Sequence, residues 1–525
     1  MRYPTEFKSA YKSCNSALKQ AVQIAKKAAN DKHIATSVNK TRAMWEIIKK
    51  HTTPFQKPSE NITLQYNDTN ITNPKCIADT FNTFFTEIGE LLSQNNQQQT
   101  ANHNITKLKI NCNSMYLIET NKQEVLDLIN ELDNKFSAGP DGIPDFIVKT
   151  SAQYIAEPLT HIFNSSFESG IFPNTFKEAI IKPLFKKGDR FNITNYRPIS
   201  LLSSFAKILE KLFHKRLRNF LTHNNILSSY QHGFRKQKST DTAIFQFLND
   251  IVASLDNNDI PVGLFLDLSK AFDTVNHHIL LRKLEQYGVR GTPLSWITSY
   301  LSNRTQRVQI HHTTHNNINN ILSSPRRINC GIPQGSILGP CLFILYINDL
   351  PSALDYCKPV LFADDTSILG TGSSADPLYK SIQADVNKLT YWLNINKLVI
   401  NATKTELMEF HNSQKRIHHC TIDINNSILN QVSTTKFLGL WIQDNLKWDT
   451  HVQNLNTKIS RTAYALRILI NSTSLETALC AYFANVHSHI RYGIIFWGNS
   501  PSSKLTFKIH KRIIVMHCTQ TISCR

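Results

Sequence analysis

The stretch PVGLFLDLSKAFDTVNHHILLRKLEQYG, residues 261–288, decides how this chain reads. VGLFLDL is an apolar run of strand length that ends on Asp267, and HHILLRKLEQYG has the spacing of a helix closed by Gly288. An acid at the end of a buried strand lies where strand ends open onto a cleft. A strand buried for packing alone has no use for a carboxylate there, because an unpaired charge is expensive to desolvate.

Working outward, PVLFADDTSILG (359–370) sets two apolar runs on either side of Asp364–Asp365, the pattern of a hairpin with acids at its tip. An isolated acid pair of this kind is usually a solvated turn. Asp267 on a neighbouring strand changes the balance. Three carboxylates at one sheet edge form an oxygen-rich set of the kind Mg²⁺ shares with waters and substrate phosphates. Two such ions would activate a primer hydroxyl and stabilise a leaving pyrophosphate.

The chain around these segments has 525 residues, 58 Lys+Arg against 39 Asp+Glu and a formal net charge of +19. With 41% hydrophobic residues it is neither a disordered tail nor a low-complexity fibre. No apolar run of about 18 residues occurs, so no transmembrane helix is predicted. The start, MRYPTEFKSAYKSC, carries charges where a signal peptide needs an apolar core. The 10 Cys are scattered without a CxxC, so neither a disulfide framework nor a zinc ribbon is expected. These features predict an intracellular, reduced protein. The positive excess predicts a polyanionic partner, most simply nucleic acid.

Residues 1–55 read as two helices, and 56–75 as an Asn-, Thr- and Pro-rich loop. An amphipathic helix follows over 76–94, with Ile77, Phe81, Phe84, Phe85, Ile88 and Leu91 on one stripe. The polar join SQNNQQQTANHN (93–104) is the best internal boundary. These features divide the chain into a basic helical region (1–104), one large α/β body (105–445) and a helical, basic end (446–525).

FLDLSKAFDTVNH and FADD, with GIPQGSILGPCLFILYINDLP (331–351) between them, resemble the palm motifs of reverse transcriptases, most closely those of non-LTR, LINE-type, jockey-like retrotransposons. The likeness runs on, in order, through GPDGIP (139–144), IIKPLFKKGD (180–189), NYRPISLLSSFAKILEKL (195–212), QHGFRKQKSTDTA (231–243), NKLVINATKTELM (396–408) and KFLGLWIQDNLKW (436–448).

The resemblance implies an α/β (α+β) right-hand polymerase with fingers, an antiparallel-sheet palm and a partial helical thumb. It implies that Asp267 and Asp364 hold two Mg²⁺ ions, with Mn²⁺ a possible substitute, and that Asp365 supports them. Phe272 falls at the steric gate that excludes a 2′-OH, with a core role as the alternative. Gln334 and Gly335 would lie under the incoming nucleotide and template base. Lys182, Arg197 and Arg235 occupy positions that contact triphosphate or template, although Lys182 and Lys186–Lys187 read almost equally well as a solvated basic face. Lys404 matches a lysine placed near the pyrophosphate as general acid, and Phe437, Leu438 and Gly439 match a primer grip, with core packing an alternative for Phe437 and Leu438.

The implied activity is RNA-directed DNA polymerisation on an RNA template, with a DNA primer or target and deoxynucleoside triphosphates, in the nucleus or a cytoplasmic ribonucleoprotein. No membrane partner is implied, and the oligomeric state is left open. An endonuclease usually precedes this region in the family, and KRIIVMHCTQTISCR reads as an interrupted thumb. Neither a ribonuclease H carboxylate set nor a Cys/His knuckle is expected, since HHC (418–420), Cys518 and Cys524 lack suitably spaced partners. The alternative is therefore an inactive, truncated remnant that only binds nucleic acid. A viral RNA-dependent RNA polymerase is disfavoured by Phe-Ala-Asp-Asp and Phe272.

Overall fold

The computed structural model describes residues 5–37, 39–52, 61–66, 69–94, 110–314, 317–412, 418 and 421–522. Most of the join at 93–104, His419–Cys420 and Cys524 therefore lie outside the described residues, as does the side chain of Cys518. The chain forms two units, one of Ser59–Val432 and one that unites Met1–Pro58 with Ser433–Arg525.

At the heart of the larger unit is a five-stranded sheet in the order Asn430–Gln431, Glu406–Glu409, Ile260–Leu266, Asp365–Gly372, Lys358–Phe362. Ile260–Leu266 is its middle strand, and Val262 and Leu264 are fully buried. The helices Thr240–Asp256 and Ala375–Ile395 pack against the sheet. Gly263 leaves room for this layer, since a Cβ there would meet the Phe247 and Phe410 rings at 3.1 Å. All neighbours are antiparallel except the outermost pair, where Glu406–Glu409 and Asn430–Gln431 run parallel. That edge corrects the expectation of a purely antiparallel sheet. Between the two strands the chain detours through the small hairpin Asp423–Ile424/Ser427–Ile428, which gives it the length to return in the same direction.

A second, mixed sheet follows the order Tyr196–Leu201, Glu178–Phe185, Arg304–Thr314, Asn317–Leu322. The helix Pro74–Gln94 covers it, burying Ile77, Phe81 and Phe85 against Ile181, Tyr196 and Val308. Leu91 is 53% exposed and so lies off the predicted stripe. The segment read as a loop at 56–75 contains a hairpin, Leu64–Tyr66 with Thr69–Ile71. Leu64 is buried and the Gln65 N–H donates to the Phe191 carbonyl, so a tertiary contact overrides the loop-like composition.

The smaller unit is helical. Thr5–Thr36 and Lys40–Thr52 belong with Asp449–Ser472, Leu475–Tyr482 and Ser503–Ile522, in agreement with the helical reading of both chain ends. Asp31 joins sequence-distant parts: its carboxylate accepts from the Ser474 N–H and the Thr477 hydroxyl, at the start of Leu475–Tyr482. Among the described residues no helix is long and apolar enough to cross a membrane.

His451 lies beside the Trp448 and Trp497 rings, and among the described residues its Nε2 has no hydrogen-bond partner. Burial pushes its imidazole down to about 4. An unfolded histidine titrates near 6.5. As pH falls, the unfolded chain therefore takes up the proton first, and stability present above about pH 6.5 is lost progressively down to about pH 4. The loss should reach about 2–3 kcal/mol. Urea titrations at pH 7.5 and 4.5, followed by tryptophan fluorescence, should show it, and His451→Phe should flatten the difference.

Candidate active site

Asp267 follows directly on Ile260–Leu266. Its main chain is gripped by the segment before Glu406–Glu409: the Asn401 N–H donates to the Asp267 carbonyl (2.8 Å), and the Ser269 N–H donates to Val399 (2.8 Å). Asp364 occupies the two-residue turn Ala363–Asp364, closed by the Phe362–Asp365 pair. Thr366 pairs with Leu266, so Asp365 stands one step further out, level with Asp267 on the adjacent strand. Two strand ends and one turn thus bring the three acids to the same edge of the central sheet, as the sequence predicts.

Their charges interact. Burial first, then the charges of Asp364 and Asp267, push the Asp365 carboxyl up to about 6, although its side chain is reached by solvent. Positive groups face this cluster. Lys404 Nζ lies 3.6 Å from Asp267 Oδ2. Lys186 and Arg197 act on Asp365 in the direction that lowers its pKa. Lys186 itself is held below the ordinary lysine range by burial and by the like charges of Arg197, Lys187 and Lys404, with Asp267 pulling the other way. Lys270 is lowered by burial, against the pull of Asp273. Among the described residues no group of three or more His, Cys, Asp or Glu side chains is arranged to hold a metal ion by itself. The donor chemistry is nevertheless that of a hard cation completed by waters and phosphates: all-oxygen, anionic, and strained by its own repulsion.

Next to the acids, Phe272 is half-buried and stacks on Phe343 with ring centroids 4.4 Å apart. Its carbonyl accepts from the Ile332 N–H (2.9 Å), and Gln334 Nε2 donates to Asp273 Oδ1 (2.7 Å). The loop after Asp267 and the loop carrying Gln334 and Gly335 are therefore stitched together. Burial pushes Asp273 up to about 6, against the opposing effect of the Gln334 hydrogen bond. Gly335 has φ +116, and a Cβ there would lie 2.8 Å from the Ser200 carbonyl, so only glycine fits. Behind this loop the fully buried Glu210 accepts from the Ile337 and Leu338 N–H groups at 2.7 and 3.2 Å. Glu210, Asp273 and Lys270 all lie inside segments the sequence singled out, but residue type alone does not separate them from packing residues.

Two predicted basic residues have partners within the protein. Lys182 lies within the strand Glu178–Phe185, four residues before Lys186, about 13 Å along an extended chain. Its Nζ lies 3.4 Å from His311 Nε2. Arg235 turns inward, donating from Nη1 to the Ser228 and Gln231 carbonyls at 2.5 and 3.3 Å. Phe437, Leu438 and Gly439 belong to the smaller unit, in the hairpin Thr434–Phe437/Leu440–Gln443. Phe437 is buried, Leu438 and Gly439 have φ +44 and +93, and the Tyr492 hydroxyl donates to the Leu438 carbonyl.

Compared with known proteins, residues 185–442 match the family described as Reverse transcriptase (RNA-dependent DNA polymerase). The chain is 28% identical over 445 residues to the probable RNA-directed DNA polymerase from transposon BS of Drosophila melanogaster, covering 82% of this chain and 47% of that protein. It is 28% identical over 405 residues to the RNA-directed DNA polymerase from mobile element jockey of the same species, covering 75% and 43%. With the retrovirus-related Pol polyprotein from type-1 retrotransposable element R1 of Bradysia coprophila it shares 27% over 383 residues, 71% of this chain and 37% of the relative. The chain spans less than half the length of these relatives. The family match, relatives from several mobile elements and three acids converging at one sheet edge point the same way: residues 185–442 match the reverse transcriptase family, and the chain is similar to the RNA-directed DNA polymerases of non-LTR, LINE-type retrotransposons.

Proposed function

We propose that this chain is the RNA-directed DNA polymerase part of such an element, extending a DNA primer on an RNA template with deoxynucleoside triphosphates. The observation that carries the reading is the convergence of Asp267, Asp364 and Asp365 at one sheet edge, with Lys186, Arg197 and Lys404 within electrostatic reach. We read the central sheet as the palm, the mixed second sheet as part of the fingers, and the helices from 446 onward as the thumb region.

Asp267 and Asp364 would hold two divalent ions, Mg²⁺ by preference and Mn²⁺ as substitute, with Asp365 in support. When bound, these ions supply Lewis acidity to the primer 3′-hydroxyl and to the charge that builds on pyrophosphate. The chain's own residues do the rest. Arg197 and Lys186 draw in the triphosphate by charge, and the Arg197 guanidinium presents a fork suited to phosphate oxygens. Lys404, beside Asp267, donates a proton to the departing pyrophosphate. Gln334 and Gly335 form the floor for the base pair, and the absent Cβ at 335 lets their loop seat against the Ser200 carbonyl.

The Phe272 ring, braced on Phe343, closes the space that a 2′-OH would need. Phe272→Ala should therefore raise ribonucleotide incorporation relative to deoxynucleotide by roughly tenfold or more. Single-nucleotide extension with GTP and dGTP measures the ratio, and an unchanged ratio would remove Phe272 from this role.

The reading as a whole is tested by extension of a labelled DNA primer on an RNA template with Mg²⁺ and all four deoxynucleotides. Product that requires both template and metal supports it. Salt-sensitive RNA binding with no incorporation under any of these conditions would overturn it in favour of a binding-only protein.

A further inference from the structure

The turn that carries Asp364 is strained at its first residue. Ala363 sits at φ +56, a left-handed conformation that a residue with a Cβ adopts only when its surroundings impose it. The tight two-residue hairpin asks for it, and a group from far along the chain holds it there. The Oε1 of Gln231, 1% exposed, accepts from the Ala363 N–H (3.1 Å) and from the Gly233 N–H (2.7 Å).

The backbone around Gln231 is laid against the strand that enters the turn. The Leu361 N–H donates to the Tyr230 carbonyl (3.0 Å), and the His232 N–H donates to the Leu361 carbonyl (2.8 Å). Gly233 permits this approach, because a Cβ there would fall 2.4 Å from the Ala363 nitrogen. His232 is buried, with Nδ1 2.8 Å from the Thr242 hydroxyl and Nε2 2.9 Å from Gln246, which anchors the segment to the helix Thr240–Asp256.

From this geometry we infer that Gln231 is a positioning residue, holding the strained Ala363–Asp364 turn so that the Asp364 carboxylate points at the reacting centre. The inference rests on the polymerase reading for what Asp364 does, not for how the turn is held. It gives the QHGFR segment a mechanical job. Arg235, which donates to the Gln231 carbonyl, braces the clamp instead of reaching for substrate. Among the described residues the Gln231 Nε2 has no hydrogen-bond partner, so the contacts of this buried side chain are made by its oxygen.

Gln231→Met keeps the length and burial of the side chain but removes the acceptor. It should lower kcat for nucleotide addition by roughly tenfold to a hundredfold while leaving the nucleotide KM and template–primer affinity within about twofold. Amide hydrogen exchange in 361–365 should quicken by roughly tenfold or more, with the helices unchanged. Ala363→Gly lets the turn adopt positive φ without help, so the Gln231→Met defect should shrink in that background. An equal defect in both backgrounds, wild-type exchange at 361–365 in Gln231→Met, or a raised KM with unchanged kcat would each overturn the clamp. The exchange measurement needs no activity, so a chain that extends no primer would fail the polymerase reading and still decide this one.

Discussion

With asparagine in place of Asp364, RNA-templated primer extension is expected to fall by about a thousandfold or more, equivalent to about 4 kcal/mol of transition-state stabilisation. The substitution keeps the shape of the turn and its main-chain hydrogen bonds, because neither the Phe362–Asp365 pair nor the Gln231 contact to the Ala363 N–H uses the Asp364 side chain. What it removes is one of three negative charges; those of Asp364 and Asp267 add to burial in raising the Asp365 carboxyl. Template–primer binding, read by fluorescence anisotropy, should stay within about twofold, since it depends on basic groups elsewhere. Extension at the wild-type rate would remove Asp364 from the chemistry altogether.

The second large effect concerns the frame behind the site. Lys283 and Asp349 form an ion pair at 2.5 Å with both side chains essentially inaccessible. Lys283 also donates to the Tyr346 carbonyl, and Asp349 accepts from the Trp392 indole. The pair therefore ties together the helix His277–Gln286, which follows the Asp267 loop, the end of Gly339–Tyr346, which follows the Gln334 loop, and the long helix Ala375–Ile395. Asp349→Ala strands a buried ammonium and should cost about 3–5 kcal/mol. Urea unfolding measures the loss, and thermal unfolding should show an apparent Tm lower by roughly 5 °C. The double variant Lys283→Met/Asp349→Leu leaves no unpaired charge and should recover most of the stability. A double variant as unstable as Asp349→Ala would mean that the ion pair is itself the source of stability, not merely a charge that must not be left alone.

Much of the site was legible because its chemistry is local. Asp267 at the end of an apolar run and Asp364–Asp365 between two such runs are patterns of period and punctuation, and both fell at strand ends as read. Asp31, Gln231 and Glu210 were not legible in this way. Each acts on a segment more than a hundred residues away, through a buried polar contact that no spacing rule encodes. Lys182 is a different case. It shares a motif with Lys186, but its Nζ lies beside His311 Nε2, whereas Lys186 acts on the Asp365 carboxyl.

The hairpin at 64–71 was hidden for a related reason. Its Asn- and Thr-rich composition speaks of a loop, and only the burial of Leu64 and the bond to Phe191 make strands of it. Likewise, the amphipathic helix Pro74–Gln94 was plain from its repeat, but which sheet it covers was not.

By itself, then, the sequence determined the acids, their order, the strand–turn and strand–helix units that carry them and the excess of positive charge, because these follow from residue type and short-range period. Only the tertiary structure decided which cations face the acids, which glutamine holds the Ala363–Asp364 turn and which buried carboxylates serve the frame. Those outcomes depend on desolvation and on hydrogen-bond geometry between distant segments, and neither exists until the chain has folded.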